Sequence, residues 1–343
     1  MFKICSIGCG GMAFEAHGQS FRKYAELHPG VELAACCDIN VQKAAEFAQE
    51  YGFKRHYSDI DAMLDSEKPD AVCLIVPVSL TAELSIQVIE KGYPLIMEKP
   101  PGLNREQTMR MISAAEKNNI PTQVAFNRRY MPLIRELKRQ LSGFKPEEIQ
   151  NLRYDLYRAG RKDADFSTTA IHGIDAVRFI AGSDYSYIKF HYQELPLRAK
   201  ATTNSFFPSG LNVVNIFMDC VMKSGTTAQL SFCPVSGVTI ERCAVNSEGH
   251  SFFLDLPVWE GLDVPGKLIH VENEKVVYET TGDVISDGDE MFESNGFYGE
   301  NAAFFDDIRA ERKPIGDIRS GLQSVEIADC IRNRADEYKA GGL

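Results

Sequence analysis

The chain has 343 residues, 44% apolar and 25% charged, the proportions of a globular protein long enough for two independent cores. Its 37 lysines and arginines face 48 aspartates and glutamates, a net charge of −11 that argues against a surface gripping phosphodiester backbones or anionic lipid. No run approaches the ~18 apolar residues of a membrane span, and the opening MFKICSIGCGGM reads as a first strand rather than a cleavable leader.

Residues 2–7 form a β-type run that ends in glycines, and a helix is expected from about Met12 to Leu27, stopped by Pro29-Gly30. Val31–Cys37 is a second apolar run, closed by Asp38, and the Ala-rich stretch 41–51 reads as a helix ending at Gly52. Asp70–Val76 lies between Pro69 and Pro77, apolar throughout as a central parallel strand should be. Ser79 is placed to cap a helix carrying Leu80, Leu84 and Val88 on one face. The strand Pro94–Met97 leads into Glu98-Lys99-Pro100-Pro101, Asn104 with Gln107 opens a further helix, and Thr122–Phe126 is the last strand of the series. This rhythm predicts a doubly wound parallel sheet, a dinucleotide-binding domain over 1–126.

The pattern then changes. A helix is expected over 130–142, a strand over 149–158, and a helix over 168–181 capped by Ser167. Strands follow at 187–195, 212–222, 226–233, 238–246, 251–256 and 268–278, several joined by short Gly- or Ser-containing turns that favour antiparallel neighbours. Helices over about 299–312 and 319–339 finish the chain. The fold class is α/β, with residues 127–343 forming an α+β domain around a large, mostly antiparallel sheet. Helices should cover one face of that sheet, and a second subunit is the economical cover for the other, giving a homodimer or homotetramer. The nine cysteines form no C-x-x-C pair and lie in apolar segments, which reads as reduced, buried thiols of a cytoplasmic protein with no metal site.

Gly8-Cys9-Gly10-Gly11-Met12-Ala13 fits G-x-G-x-x-A. Gly8 allows the tight strand-to-helix turn, Gly10 lets the backbone approach a pyrophosphate, and the small Ala13 lets helix and strand pack closely. The pyrophosphate then sits on the amide end of the helix that starts near Met12. Asp38, closing the second strand, suits the two adenosine ribose hydroxyls and repels a 2′-phosphate, which favours NAD. Lys43, one helical turn on, keeps NADP open. Glu98-Lys99-Pro100 lies at the carboxyl end of a parallel strand, where such sheets bind ligands, and Pro100 restrains Lys99 to an extended backbone.

Together these pieces resemble the Gfo/Idh/MocA family of NAD(P)-dependent oxidoreductases, which holds glucose–fructose oxidoreductase and inositol dehydrogenase. The resemblance rests on GCGGMA at 8–13, CDIN at 37–40, EKP at 98–100, Phe126-Asn127-Arg128-Arg129-Tyr130, Ile171-His172-Gly173-Ile174-Asp175, and the closing Asn301–Ile308 running on to Gly321-Leu322. It implies hydride transfer between nicotinamide and a secondary alcohol or ketone of a sugar, polyol or nucleotide sugar. Lys99 and His172 are its implied catalytic residues, and Thr168, Asp175 and Arg129 its substrate contacts. It further implies cofactor contacts from Gly8, Gly10, Gly11, Met12, Asp38, Val76, Pro77, Glu98, Lys99 and Asn127.

The chemistry accords with this, because oxidising an alcohol releases a proton that a positioned base must accept. A lysine beside a cationic ring gives up its proton more readily, and a histidine titrates near neutrality. His172 and Asp175, three apart on a helix, share a face. The chain also departs from the inositol dehydrogenase pattern. Thr168 stands where that pattern has Asp, four residues before the histidine, and Thr81 stands where many relatives have His. Asp163 and Asp165 lie near but in the preceding loop. A catalytically silent dinucleotide-binding member with a regulatory or assembly role, and reduction of an imine or linear tetrapyrrole, therefore stand as alternatives.

Overall fold

The computed structural model describes residues 1–161, 165–195, 213–286 and 288–341. Asp163 lies outside them. The described chain divides into two compact units, Met1–Tyr130 with Gly296–Val325, and Met131–Asn295 with Glu326 to the C-terminus. The stretch 296–325, expected with the second domain, thus belongs with the first.

The first unit holds six parallel strands: β1 (Phe2–Ile7), β2 (Val31–Cys37), β3 (Arg55–Tyr57), β4 (Ala71–Leu74), β5 (Leu95–Glu98) and β6 (Thr122–Ala125). Their order, β3-β2-β1-β4-β5-β6, reverses between β1 and β4, so the sheet is doubly wound as expected. Helices α1 (Gly18–Leu27), α2 (Val41–Tyr51), α3 (Ile60–Glu67), α4 (Val78–Glu90) and α5 (Arg105–Asn118) make the crossovers. A π-helical turn, Ala13–His17, precedes α1. The short β3 is mostly exposed, too polar to be read as a strand from its sequence. α4 begins two residues earlier than Ser79 would set it. Pro77 takes the capping position and accepts the Leu80 amide at 2.8 Å, which leaves Ser79 inside the first turn.

Among the described residues the second unit is built on nine strands: β7 (Ile149–Ala159), β8 (Tyr185–Glu194), β9 (Val214–Met222), β10 (Thr227–Ser236), β11 (Ile240–Ser247), β12 (His250–Leu256), β13 (Lys267–Glu272), β14 (Lys275–Thr281) and β15 (Glu337–Lys339). Their order is β14-β13-β12-β11-β7-β10-β9-β8-β15, antiparallel except at β7–β10. Alternate residues, such as Ile216, Met218 and Cys220, turn inward against α6 (Pro132–Leu141) and α7 (Ser167–Ala181). One face is therefore the core, and the other carries exposed Val221 and Phe253.

Two expected boundaries change. The single strand over 268–278 is a hairpin, turning at Asn273 and Glu274, both at positive φ. Neither is glycine, so the turn lacks its usual signature. The last helix stops at Arg332, and residues 337–339 become β15, the edge strand beside β8. Short helices α8 (Gly282–Ile285) and α9 (Met291–Ser294) precede α10 (Phe297–Arg309) and α11 (Ile318–Arg332).

α10 joins the first unit because its aromatic residues complete that core. Phe304 and Phe305 are fully buried, Phe305 packs 4.9 Å from the Tyr24 ring, and the Tyr24 hydroxyl donates to Asp306 at 2.6 Å. Phe305→Ala is expected to lower the unfolding free energy by ~3–5 kcal/mol, measured by urea denaturation. A loss under ~1 kcal/mol would mean that α10 is not part of this core.

Candidate active site

A parallel sheet brings the residues that follow each strand to a single edge. Here these are Gly8 after β1, Asp38 after β2, Val76 and Pro77 after β4, Lys99 after β5, and Asn127 after β6. The sequence-predicted cofactor residues therefore share the carboxyl edge of the first sheet. Thr168, His172 and Asp175 lie on α7, in the second unit.

Gly8 sits at φ +93°, and a Cβ there would lie 2.0 Å from the Ile75 carbonyl oxygen, so only glycine fits the turn. At Gly10 a Cβ would meet nothing within 4 Å, and Gly11 is exposed. The loop backbone is thus open on the side where an anion would approach. Ala13 is fully buried, the close helix–strand packing its position requires. Asp38 spans the edge: one carboxylate oxygen accepts the Cys9 amide and the other the Asn40 amide, each at 2.8 Å. These bonds aim the carboxylate and leave each oxygen a lone pair for a hydroxyl donor. Asn40 in turn caps α2, accepting the amides of Gln42 and Lys43.

Glu98 is held from beneath. His17 lies in the π-helical turn, 2% exposed, with Nε2 2.9 Å from Glu98 Oε1. Asn301 of α10 donates to His17 Nδ1 at 3.1 Å. Nδ1 is therefore the acceptor, and Nε2 carries the hydrogen that bonds Glu98. The second Glu98 oxygen accepts the Lys99 amide at 3.0 Å. Both oxygens of the residue expected to touch cofactor are thus engaged in fixing the start of the Lys99 segment. Burial alone would raise the Glu98 carboxyl, but the His17 hydrogen bond first, and then the Lys99 charge and the Lys99 amide, hold it below its ordinary value. Lys99 itself is half-buried, and the Lys99–Pro100 peptide bond is cis.

Asn127 is 1% exposed and accepts a hydrogen bond from Arg128 at 3.0 Å. Arg129 lies 5.0 Å over the Phe126 ring and donates to Ser320. On α7, Thr168 and His172 are half-buried, whereas Asp175 is 1% exposed with Arg178 3.8 Å away. The cap of α7 is supplied by Asp165 rather than Ser167. Its Oδ1 accepts the Ser167 amide at 2.9 Å, its Oδ2 pairs with Arg332 at 2.7 Å, and the Ser167 hydroxyl accepts from Arg332 instead. Asp165 is consequently committed to the helix terminus and does not replace the carboxylate that Thr168 lacks.

Sequence reasoning missed His17, Asn301 and Glu300. His17 lies on a helix whose other inward residues are apolar or small, and the two α10 residues are more than 200 positions from Glu98.

Sequence comparison now bears on this edge. Residues 2–126 match the Gfo/Idh/MocA profile, described as an oxidoreductase family with an NAD-binding Rossmann fold. The domain over residues 2–126 belongs to the Gfo/Idh/MocA family. Among similar curated proteins are a D-glucoside 3-dehydrogenase of Escherichia coli, 29% identical over 41% of this chain and 39% of its own, and the inositol 2-dehydrogenase 2 of Saccharopolyspora erythraea, 28% identical over 52% and 53%. The scyllo-inositol 2-dehydrogenase (NADP(+)) of Bacillus subtilis is 30% identical over 38% and 42%. The chain thus matches about half or less of these relatives' length. The whole fold recurs in a levoglucosan dehydrogenase solved with NADH, with TM-score 0.81 and 18% identity over 100% of both chains. An oxidoreductase domain protein from Kribbella flavida gives TM-score 0.83 and 16% identity over 99% of each.

The Glu98 geometry of this Gfo/Idh/MocA domain carries a pH signature. A carboxyl lowered by folding contributes stability that is complete above the ordinary value of 4.5 and drains away as pH falls through the lower folded value. Urea unfolding at stepped pH should show wild-type stability falling more steeply below pH ~4.5 than that of Glu98→Gln. Parallel curves would contradict the buried ionised Glu98.

Proposed function

We propose that the chain is an NAD(P)-dependent dehydrogenase or reductase acting on a secondary alcohol or ketone of a sugar, polyol or nucleotide-sugar derivative. The observation that carries this reading is the placement of Lys99. It stands on the same sheet edge as the glycine turn and Asp38, and its backbone is fixed by the carboxylate that His17 holds. The activities for which those relatives are named, on a glucoside and on inositol, support the substrate class.

The residues present fit a nicotinamide dinucleotide. The open Gly10–Gly11 backbone at a helix start suits the pyrophosphate, and Asp38 suits a ribose diol. A second negative charge from a 2′-phosphate would face the Asp38 carboxylate, so NAD is the preferred form. When bound, the nicotinamide supplies or accepts the hydride. Lys99 Nζ takes the hydroxyl proton in the oxidative direction and returns it in the reductive one. His172 is assigned the second proton-handling role from α7, with Thr168 offering a hydroxyl to the substrate. Asp175 and Arg129 are engaged within their own units and receive no substrate contact in this reading.

Nine unpaired cysteines, seven of them buried, suit a reducing cytoplasm. The outer face of the nine-stranded sheet, with Val221 40% and Phe253 47% exposed, is the proposed contact for a second copy. Light scattering at micromolar concentration should return the mass of a dimer or tetramer, and a monomer there would contradict this contact.

Lys99→Met removes the ammonium while keeping the stem. Turnover of a sugar or polyol substrate should fall ~10²-fold or more, with NADH affinity little changed. Unchanged turnover would remove Lys99 from the mechanism. Titration should also show NADH bound more tightly than NADPH, and the reverse order would contradict the role given to Asp38.

A further inference from the structure

Glu300 lies on α10, one residue before the Asn301 that braces His17, and its side chain is fully buried. Among the described residues neither of its carboxylate oxygens has a hydrogen-bond partner. Its surroundings offer more acceptors than donors, since Gln123 Oε1 and Asn301 Oδ1 are buried and unpartnered as well. One Gln123 amide hydrogen goes to the Glu300 backbone carbonyl at 2.8 Å, and both of the Asn301 amide go to His17 Nδ1 and the Phe297 carbonyl. A buried carboxylate without donors cannot keep its charge cheaply, whereas a protonated carboxyl brings a donor to a place that lacks one. The charged groups acting on it are Glu98 and Lys99 from the end of β5 and Arg128 from the turn after β6. Burial first, and then the Glu98 charge, push the Glu300 carboxyl well above its ordinary range, against the opposing pull of Arg128 and Lys99.

We propose that Glu300, buried without donors, stays protonated in the fold, so that Lys99 faces the Glu98 charge alone rather than two negative charges. Glu300 is then a positioning residue acting through charge. Were both carboxyls ionised, the Lys99 ammonium would be stabilised twice over and would release its proton less readily. His17 selects which carboxyl stays ionised, because its N–H serves Glu98 and none serves Glu300. The functional consequence rests on the reading of Lys99 as the proton-transfer group, but the protonation state does not.

Two measurements on the full chain test this. The first is urea unfolding of wild type and Glu300→Gln from pH 5 to pH 8. A group that stays protonated in the fold and ionises in the unfolded chain makes wild-type stability fall as pH rises. The folding constant of Glu300→Gln relative to wild type should therefore climb by up to about tenfold per pH unit. A flat or falling ratio would show that Glu300 is ionised in the fold and would overturn the proposal. If Gln disrupts the site, Glu300→Met gives the same reading.

The second measurement follows the Lys99 ε-carbon by NMR titration, its signal assigned by its loss in Lys99→Met. Glu300→Gln should leave the Lys99 midpoint where wild type has it, because the carboxyl removed carries no charge. Glu98→Gln, which removes the one charge, should lower it by about one unit, a tenfold change in its proton affinity. A midpoint lowered by Glu300→Gln as much as by Glu98→Gln would show that Glu300 is ionised and would overturn the proposal. Neither result depends on turnover, so full activity in Lys99→Met would reject the lysine's catalytic role while leaving the protonation of Glu300 standing.

Discussion

The contact between His17 and Glu98 is the constraint on which the first unit's edge depends. It joins three distant parts of the chain: the turn after the glycine loop, the end of β5, and, through Asn301, the helix that returns from the second unit's sequence. A buried carboxylate is tolerable only with donors, and Glu98 has two, His17 Nε2 and the Lys99 amide. Removing one partner of such a buried pair typically costs ~3–5 kcal/mol, mostly the expense of the charge left behind. What the pair secures is position. It fixes the backbone from which Lys99 projects relative to the glycine turn after β1.

The local chain obeys that demand in an unusual way. His17 sits in a π-helical turn between the loop and α1, and such widened turns occur often at functional sites. The neighbouring Gly18 shows how tight the packing is, since a Cβ there would lie 2.4 Å from the Tyr51 ring. α10 supplies both the aromatic mass that closes the core and the polar residues that brace the histidine. The same helix thus serves stability and the site, which explains why residues 296–325 return to the first unit rather than remaining with the sheet that precedes them.

Much of this was legible in the sequence because the signals were local. The glycine turn, Asp38 at the end of β2, the apolar run of β4 and the Glu98-Lys99-Pro100 triplet each lie within a few residues, and a parallel sheet fixes where such residues go. The antiparallel sheet was legible from the short Gly- or Ser-containing turns between its strands, such as Lys223-Ser224-Gly225 between β9 and β10. Whatever needed distant partners was not. Nothing near position 17 announces that its imidazole meets Glu98, and Glu300 looks like an ordinary solvated helix residue until α10 is seen to be buried. Asp165, near His172 in sequence but placed in the preceding loop, finds its partner in Arg332, far along the chain, which draws it to the end of α7. The hairpin at Asn273-Glu274 escaped because neither turn residue is glycine.

The central claim is that His17 and Glu98 act as a unit in holding the nucleotide edge. A double-mutant cycle with His17→Leu and Glu98→Gln, read in both unfolding free energy and NADH affinity, tests it most directly. The account predicts a coupling of ~1 kcal/mol or more in stability, with the double variant losing less than the two single losses combined. It also predicts that His17→Leu weakens NADH binding although His17 is buried away from solvent. Additive losses within ~0.3–0.5 kcal/mol, with NADH affinity unaffected in all three variants, would contradict it.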